Sequence, residues 1–283
     1  MLPGMKHAFT TLACPGWDLD AIIARAREYG YDAVDFRGYR KALRLWELPE
    51  FQGAGARDTA KRLADAGLPV SAFSSSALVF TPTPEATEKS LAEVRAYAAL
   101  CDIFHAPFIR VFGGAIGETP RAEAVRTAAA QFKRMAAVAK DHGIQVLIET
   151  HDAWASGHHL RELLEQTASE AAGILWDVHN PYREIGEKPA VTWAAIRRWV
   201  RNTHIKDSFP KHGGKPGEFE LCLTGAGDVP LRDIMACLRQ GGYDGYLTFE
   251  WEKHWHPGIA EPESALPAHL WYMRGLLAGL AGG

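Results

Sequence analysis

The architecture of this chain can be read from residues 146–177, VLIETHDAWASGHHLRELLEQTASEAAGILWD. The segment opens on a short β-rich apolar run (146–150) and closes on another (174–177), with a loop and a stretch of helical spacing between them. A strand–helix–strand order is typical of parallel sheets, because parallel neighbours need a long crossover connection. The segment therefore predicts one β/α repeat followed by the strand of the next.

The same alternation recurs along the whole sequence. Eight apolar runs, whose starts lie 28 to 44 residues apart, are predicted as strands. They are Met5–Thr10, Ala33–Arg37, Val70–Ser74, Phe108–Phe112, Val146–Thr150, Ile174–Asp177, Asn202–Lys206 and Tyr246–Glu250. The spacing leaves room for a helix after each run. After the first run, Asp18 is expected to cap the helix and Gly30 to end it.

Eight β/α repeats without a linker-like stretch predict an α/β protein with one domain over residues 1–283. A single (β/α)8 barrel, or TIM barrel, is favoured because closing the sheet removes both of its edges. The alternative is an open doubly wound sheet. It is disfavoured because no GxGxxG motif follows the first predicted strand.

Composition excludes several classes of protein. The 283 residues include 31 Lys+Arg and 34 Asp+Glu, for a net charge of −3, and 47% are hydrophobic. This balance argues against a disordered chain, a nucleic-acid binder and a protein of anionic membrane surfaces. There is no apolar run long enough for a membrane span, and residues 1–10 lack the features of a secretory leader. Four cysteines without a CxxC pair predict free thiols, and we expect a cytoplasmic protein.

Reactive side chains in a parallel barrel lie at the C-terminal ends of the strands. The last four predicted strands each place one candidate there, and these are Glu149, Asp177, His204 and Glu250. Strand side chains alternate between two faces, so all four can point into the barrel mouth. A single acidic residue at a strand end is usually a helix or loop cap. Four such residues on successive strands are hard to attribute to capping.

Three carboxylates that converge on an apolar-walled mouth would repel one another without a counter-charge. The simplest remedy is one divalent metal ion held by all four candidates. Three oxygens and one imidazole favour Mn²⁺, and Mg²⁺, Co²⁺ and Zn²⁺ are compatible with the same ligands. The remaining coordination positions would be open to two oxygens of a substrate.

Beyond these four residues, nearly the whole sequence resembles the xylose isomerase-like TIM-barrel superfamily of sugar phosphate isomerases and epimerases. The resemblance rests on the segments GYDAVDFRG (30–38), VLIETHD (146–152), WDVHNPYREIGE (176–187), THIKDS (203–208), LTGAGDVPL (223–231) and GYDGYLTFEWE (242–252). It implies one divalent metal bound by Glu149, Asp177, His204 and Glu250. In the ketose 3-epimerases of that superfamily the two matching glutamates also exchange protons with a substrate carbon from opposite faces.

The sequence departs from the ketose 3-epimerase pattern in three features. Asn180 stands where the resembled enzymes often have a histidine that contacts substrate, and Ala155 stands where they commonly have a substrate-binding glutamate. Pro210 and Lys211 occupy the region where a substrate-binding arginine often follows the metal-ligating histidine.

Other polar and aromatic side chains near the strand ends are candidates for the substrate pocket. His151, two residues beyond Glu149, is predicted as a catalytic acid or base. The residues predicted to bind substrate are His179, Lys206, Arg110, Asn180 and Trp154. Structural alternatives stay open. The histidines can support the metal ligands by hydrogen bonds, Lys206 can pair with Asp207 or Glu252, and the tryptophan can pack in the core.

The predicted function is that of an isomerase or epimerase of carbohydrate metabolism. It would act on a sugar, keto-sugar or cyclitol through a metal-stabilised enediolate. The alternative is a lyase or dehydratase of a keto-sugar or inosose-type substrate, with His151, His179 or Lys206 as the acid. An endonuclease IV-like repair enzyme is disfavoured because the third and fourth predicted strands end in serines and glycines rather than histidines. The expected partner is a small carbohydrate-like molecule, and a non-catalytic sugar-binding module and a homo-oligomer stay open.

Overall fold

Parallel strands close into a barrel in the computed structural model, which describes residues 4–215 and 217–281. The strands are β1 (Lys6–Thr10), β2 (Ala33–Phe36), β3 (Val70–Leu78), β4 (Phe108–Phe112), β5 (Gln145–Glu149), β6 (Ala172–Asp177), β7 (Val200–Ile205), β8 (Asp207–Pro210), β9 (Phe219–Cys222) and β10 (Tyr246–Phe249). The barrel follows the order β1 to β7 and then β10, which pairs with β1 and closes the circle. The predicted TIM barrel is confirmed. Residues 1–3, 216 and 282–283 of the predicted domain lie outside the described residues.

Helices follow the barrel strands. They are α1 (Leu19–Tyr29), α2 (Gly53–Asp65), α3 (Pro84–Phe104), α4 (Arg121–Asp141), α5 (Gly157–Thr167), α6 (His179–Ile185), α7 (Pro189–Ile196), α8 (Leu231–Gln240) and α9 (Pro262–Ala281). The Asp18 carboxylate caps α1 by accepting a hydrogen bond from the backbone N–H of Ala21 at 2.9 Å. Gly30 ends α1 with a φ of 88°. Both helix ends are as predicted. The four cysteines are free, and no helix in the described ranges could span a membrane.

Alternation along the strands separates the apolar core from the candidate site. Phe73 of β3 and Trp176 of β6 face the helix layer, with ring centroids 5.4 Å from Phe104 and 5.6 Å from Trp193. Burying an apolar side chain of this size stabilises the fold by about 1.5–3 kcal/mol. Asp177, one position beyond Trp176, therefore faces the barrel interior. The packing of the outer face thus fixes which polar residues meet at the mouth.

Several strand ends differ from the prediction by one or two residues, and two differences are larger. β3 continues to Leu78, because after a register shift Leu78 pairs with Phe112 of β4. Between the predicted strands Asn202–Lys206 and Tyr246–Glu250 the structure has an additional antiparallel hairpin of β8 and β9, in which Ser208 pairs with Leu221. These two strands have only four residues each, too few for a clear periodic signal.

Candidate metal centre

The four strand-end candidates meet at one point. Glu149, Asp177, His204 and Glu250 are all buried, and each offers a ligand atom within 4.8 Å of the others. They come from β5, β6, β7 and the residue after β10, and these strands are neighbours in the barrel. Asp177 and His204 also lie opposite each other in the strand register. The structure therefore brings together every residue that the sequence predicts as a metal ligand.

Glu149 is paired with a buried arginine. Its carboxylate lies 3.2 Å from Nε of Arg110. Burial alone would raise the pKa of Glu149, but the Arg110 charge and the neighbouring His204 outweigh it and lower the pKa to about 2. Arg110 also donates a hydrogen bond from Nη1 to the carbonyl of Ser75 at 2.8 Å. The arginine that the sequence predicts in the substrate pocket thus lies beside the candidate metal centre and keeps Glu149 ionised.

His204 is held between the candidate ligands and a further carboxylate. Its Nδ1 lies 3.1 Å from Glu250 and 3.4 Å from Glu149, and its Nε2 lies 3.2 Å from Oδ2 of Asp35. Asp35 in turn accepts a hydrogen bond from the Ser74 hydroxyl at 3.1 Å. A carboxylate behind a histidine fixes its tautomer and leaves the other nitrogen free for a cation. The sequence prediction missed Asp35, although its place near the end of β2 is a signal of the same kind.

Lys206 connects several of the carboxylates. Its Nζ lies 2.6 Å from Asp177, 2.5 Å from Glu250 and 3.0 Å from Glu252. Burial alone would lower the pKa of Lys206, but these three carboxylates outweigh burial and hold it well above its usual value. The ammonium group therefore stays charged and offsets the repulsion between its partners. Of the two ion pairs considered for Lys206, the one with Glu252 forms.

The hydrogen bonding of the centre shows that these residues fit a cation. Arg110 and Glu250 lie within ion-pair distance of these atoms, but both carboxylate oxygens of Glu149 and Nδ1 of His204 are buried and form no hydrogen bond of suitable geometry within the described part of the chain. Such atoms are rare in folded proteins and call for a ligand or another explanation. Burial alone would lower the pKa of His204, but Glu250 and the other carboxylates raise it well above its usual value. A proton and a cation therefore compete for Nδ1, and three carboxylates with one imidazole suit a divalent ion.

His151 lies at the rim of the site. Its side chain is 34% exposed, and its Nδ1 lies 2.9 Å from the Asp152 carboxylate. Its ring centroid is 4.8 Å from that of Phe112. Burial alone would lower the pKa of His151, but Asp152 and Glu149 outweigh burial and raise the pKa to about 9. The ring carries a proton at neutral pH and is open to the solvent-facing side of the mouth.

His179 and Asn180 lie behind the centre, where both make hydrogen bonds to the protein. Nε2 of His179 lies 2.8 Å from the Ser208 hydroxyl, and burial lowers the pKa of this histidine to about 3. The Asn180 amide donates to the carbonyl of Thr150 at 3.0 Å. The backbone N–H groups of both residues donate to the Asp177 carboxylate, at 2.8 and 3.2 Å. The structure thus places both residues where they orient a metal-ligand candidate.

Trp154 is fully buried beside the mouth rather than exposed in it. Its indole N–H donates to the carbonyl of Gly114 at 2.9 Å. Its ring packs so closely on Gly113 that a Cβ at that glycine would lie 2.0 Å from Cδ1 of the indole. Trp154 therefore packs in the core, which is the structural alternative that the sequence left open for it.

A buried carboxylate–imidazole centre at the C-terminal end of a closed parallel barrel defines a class of α/β-barrel proteins with a candidate metal site. The model of the xylose isomerase-like TIM barrel family matches residues 23–275, and this chain belongs to that family. The family resemblance predicted from the sequence motifs is thereby confirmed. A comparison with curated proteins finds no match to this sequence.

Several solved structures have the same fold. The chain is similar to a probable 3-DHS dehydratase from Bacillus anthracis, with 18% identity, a TM-score of 0.78, and 95% of this chain and 99% of that chain covered. It is also similar to D-psicose 3-epimerase from Clostridium cellulolyticum H10, with 13% identity, a TM-score of 0.77, and coverage of 96% and 99%. The IOLI protein with a binding zinc atom matches with 13% identity, a TM-score of 0.83, and coverage of 97% and 99%. At these identities the likeness shows the fold.

Proposed function

We propose that this protein is a divalent-metal-dependent isomerase or epimerase of a sugar, keto-sugar or cyclitol. The observation that carries the proposal is the convergence of four buried ligand atoms within 4.8 Å of one another at the barrel mouth. Two of these atoms belong to glutamates on strands that are separated by β6 and β7. A pair of carboxylates so placed can remove a proton from one carbon and return it.

The roles of the residues follow from their positions. Glu149, Asp177, His204 and Glu250 would hold the cation, which supplies Lewis-acid polarisation of a substrate carbonyl. Glu149 and Glu250 are then the bases for a proton on the adjacent carbon, and each can also return it. The ion pairs of Glu149 with Arg110 and of Glu250 with Lys206 hold both carboxylates ionised and in place.

Two structural relatives support this assignment. One is described as D-psicose 3-epimerase with D-tagatose, which makes a small polyhydroxylated ketone a reasonable substrate to propose. The other holds a zinc atom. We propose Mn²⁺ as the first cation to test, because three of the four candidate ligands are carboxylates, and Zn²⁺ as its main competitor.

A dehydratase of a keto-sugar or inosose-type substrate is the second candidate, because two proton donors lie beside the carboxylates. Lys206 lies 2.5 Å from Glu250, and His151 stands at the rim, two residues from Glu149. Either can protonate a hydroxyl that leaves from the carbon next to the one deprotonated. The relative described as a probable 3-DHS dehydratase supports this reading. The product would then lack one molecule of water.

Deuterium exchange tests the step that both reactions share. The protein is stripped with EDTA, reloaded with Mn²⁺ and incubated in D₂O with keto-sugars and inososes. We expect NMR to show exchange at the carbon next to the carbonyl in the reloaded protein and not in the stripped one. Mass spectrometry then separates the candidates, because dehydration removes water and epimerisation does not.

A matched pair of variants completes this experiment. Glu149→Gln should slow exchange by about 10²- to 10⁴-fold, the usual effect of losing a general base. Glu118→Gln, at an exposed position, should not change the rate. Exchange that continues at full rate after exhaustive chelation would reject the proposed metal dependence.

A further inference from the structure

Arg37 is a buried cation near the barrel mouth that has no ion-pair partner among the described residues. It follows β2 two residues beyond Asp35, so the two side chains share the inner face. Arg37 is only 6% exposed. Its guanidinium forms no ion pair with any residue that the structure describes, and its Nη1 is buried without a hydrogen-bond partner.

A second cation on the same wall, Arg110, makes the position of Arg37 less favourable. Burial and then the charge of Arg110 lower the pKa of Arg37 to about 10. The two guanidiniums lie against one ring, with Cζ of Arg37 5.7 Å and Cζ of Arg110 3.9 Å from the centroid of Phe112. A buried charge is costly unless it is paired. This part of the mouth therefore holds two cations, of which only Arg110 has an ion-pair partner among the described residues.

The carboxylates around Arg37 are engaged elsewhere. Glu149 and Glu250, which act on Arg37 from a distance, belong to the metal centre of the proposed function. Glu93 on α3 accepts a hydrogen bond from the backbone N–H of Ser76 at 2.6 Å. A divalent cation bound at the centre would neutralise part of the negative charge of Glu149 and Glu250. An incoming anion would then meet less repulsion from these carboxylates.

We propose that Arg37 binds an oxyanion of the substrate, either a carboxylate or a phosphate. The substrate would then be an anionic hydroxy-ketone rather than a neutral sugar. A planar guanidinium presents several N–H donors in a geometry that suits both oxyanions. The proposal rests on the proposed function only for the second contact point, at which the hydroxy-ketone meets the metal centre.

Three small hydroxy-ketones separate the two oxyanions. Dihydroxyacetone is neutral, dihydroxyacetone phosphate carries a phosphate, and hydroxypyruvate carries a carboxylate. Binding of each probe is measured by calorimetry or by ligand-observed NMR, first with EDTA-treated protein and then with Mn²⁺. We expect at least one charged probe to bind about 10- to 100-fold more tightly than dihydroxyacetone, the range for hydrogen bonds to charged groups. The tighter of the two charged probes identifies the oxyanion.

Two variants test whether Arg37 is the cause. In Arg37→Met the preference for the charged probe should disappear, whereas Arg40→Met, three residues away and 64% exposed, should keep it. Because the Arg37 guanidinium forms no ion pair within the described part of the chain, Arg37→Met should melt at the same temperature as the wild type or higher. Arg37→Lys keeps the charge and should retain part of the preference, which covers the case in which Arg37→Met does not fold.

The outcomes distinguish this inference from the proposed function. Equal binding of the three probes, or a preference that persists in Arg37→Met, overturns the oxyanion site whatever the enzyme catalyses. A melting temperature that falls by several degrees in Arg37→Met with unchanged probe binding assigns Arg37 a structural role instead. An Arg37-dependent preference together with no proton exchange on any substrate leaves the oxyanion site standing and rejects the proposed reaction.

Discussion

Asp35 is a single side chain on which the geometry of the centre depends. It lies 3.2 Å from Nε2 of His204, on the side away from the candidate ligands. Asp35→Asn keeps the shape and removes the charge that fixes the imidazole. We expect the affinity for Mn²⁺ or Zn²⁺ to fall by about 10- to 100-fold, the usual effect of losing such a partner. Calorimetric titration of EDTA-treated protein measures this affinity directly.

Two further variants control that titration. Ser74→Ala removes the hydroxyl that donates to Asp35 at 3.1 Å and should lower the affinity by less than Asp35→Asn does. Asp233→Asn, at an exposed position on α8, should leave it unchanged. An Asp35→Asn protein that binds the ion as tightly as the wild type would show that packing alone orients His204.

The sequence predicts which residues line the centre, but not how they pair. Glu149 and His204 follow from the strand-end rule, because the rule depends only on periodicity and chain order. The same rule applies to Asp35 and Arg37 at the end of β2, but the candidate metal ligands were sought on the last four strands alone. The contacts of Lys206 depend on distances across the barrel, and no local pattern encodes those distances.

At the scale of the elements, the sequence predicts the barrel strands well because each is an apolar run between turn-forming residues. The predicted strand Phe108–Phe112 coincides with β4, and Val70–Ser74 ends four residues before β3 does. That extension depends on pairing with β4, which is a tertiary effect.

The hairpin of β8 and β9 is held partly by Asp207. Its carboxylate accepts hydrogen bonds from the backbone N–H groups of Gly225 and Gly227 at 2.8 and 3.1 Å.

The last helix should make the stability of the fold depend on pH. His269 of α9 is fully buried, with its ring 4.0 Å from that of Phe249 in β10 and its Nδ1 2.8 Å from the Thr224 hydroxyl. Burial and the charge of His7 hold the pKa of His269 well below its usual value. The unfolded chain therefore binds a proton near pH 6.5 that the folded chain does not bind. Above pH 6.5 His269 is neutral in both states, so it does not change the unfolding free energy. Below pH 6.5 the unfolding free energy falls by about 1.4 kcal/mol per pH unit, because only the unfolded chain takes up the proton.

Urea unfolding at pH 7.5 and pH 5.5 measures this dependence. His269→Phe keeps a ring against Phe249 and should reduce the loss of unfolding free energy between the two pH values. Thr224→Val removes the hydrogen-bond partner but not the burial, so it should lower stability by a similar amount at both. If His269→Phe loses as much stability on acidification as the wild type, His269 is protonated in the folded state.

At the scale of the whole molecule, barrel closure joins charges from distant parts of the chain. The ring of strands brings Asp35, from the first half of the sequence, against His204 in the second half. Two cations of the mouth then pair with carboxylates, Arg110 with Glu149 and Lys206 with both Asp177 and Glu250. A divalent ion at the centre would act on the same carboxylates as Lys206 does. We therefore expect a bound ion to restore part of the unfolding free energy that is lost when Lys206 is removed.

Lys206→Met tests this compensation. In EDTA the variant leaves Asp177, Glu250 and Glu252 facing one another without their ammonium partner, and we expect a loss of about 3–5 kcal/mol of unfolding free energy. Saturating Mn²⁺ should reduce that loss, because the ion offsets the same charges. It should also stabilise the wild type, by about 2.7 kcal/mol at a free concentration one hundred times the Kd. Urea unfolding of the wild type and of Lys206→Met, each with and without Mn²⁺, gives the four unfolding free energies that are compared. Lys61→Met, at a site 71% exposed, is the control. An equal loss for Lys206→Met in both media would mean that the ion does not bind among the carboxylates that contact Lys206, and the four-residue metal centre would have to be abandoned.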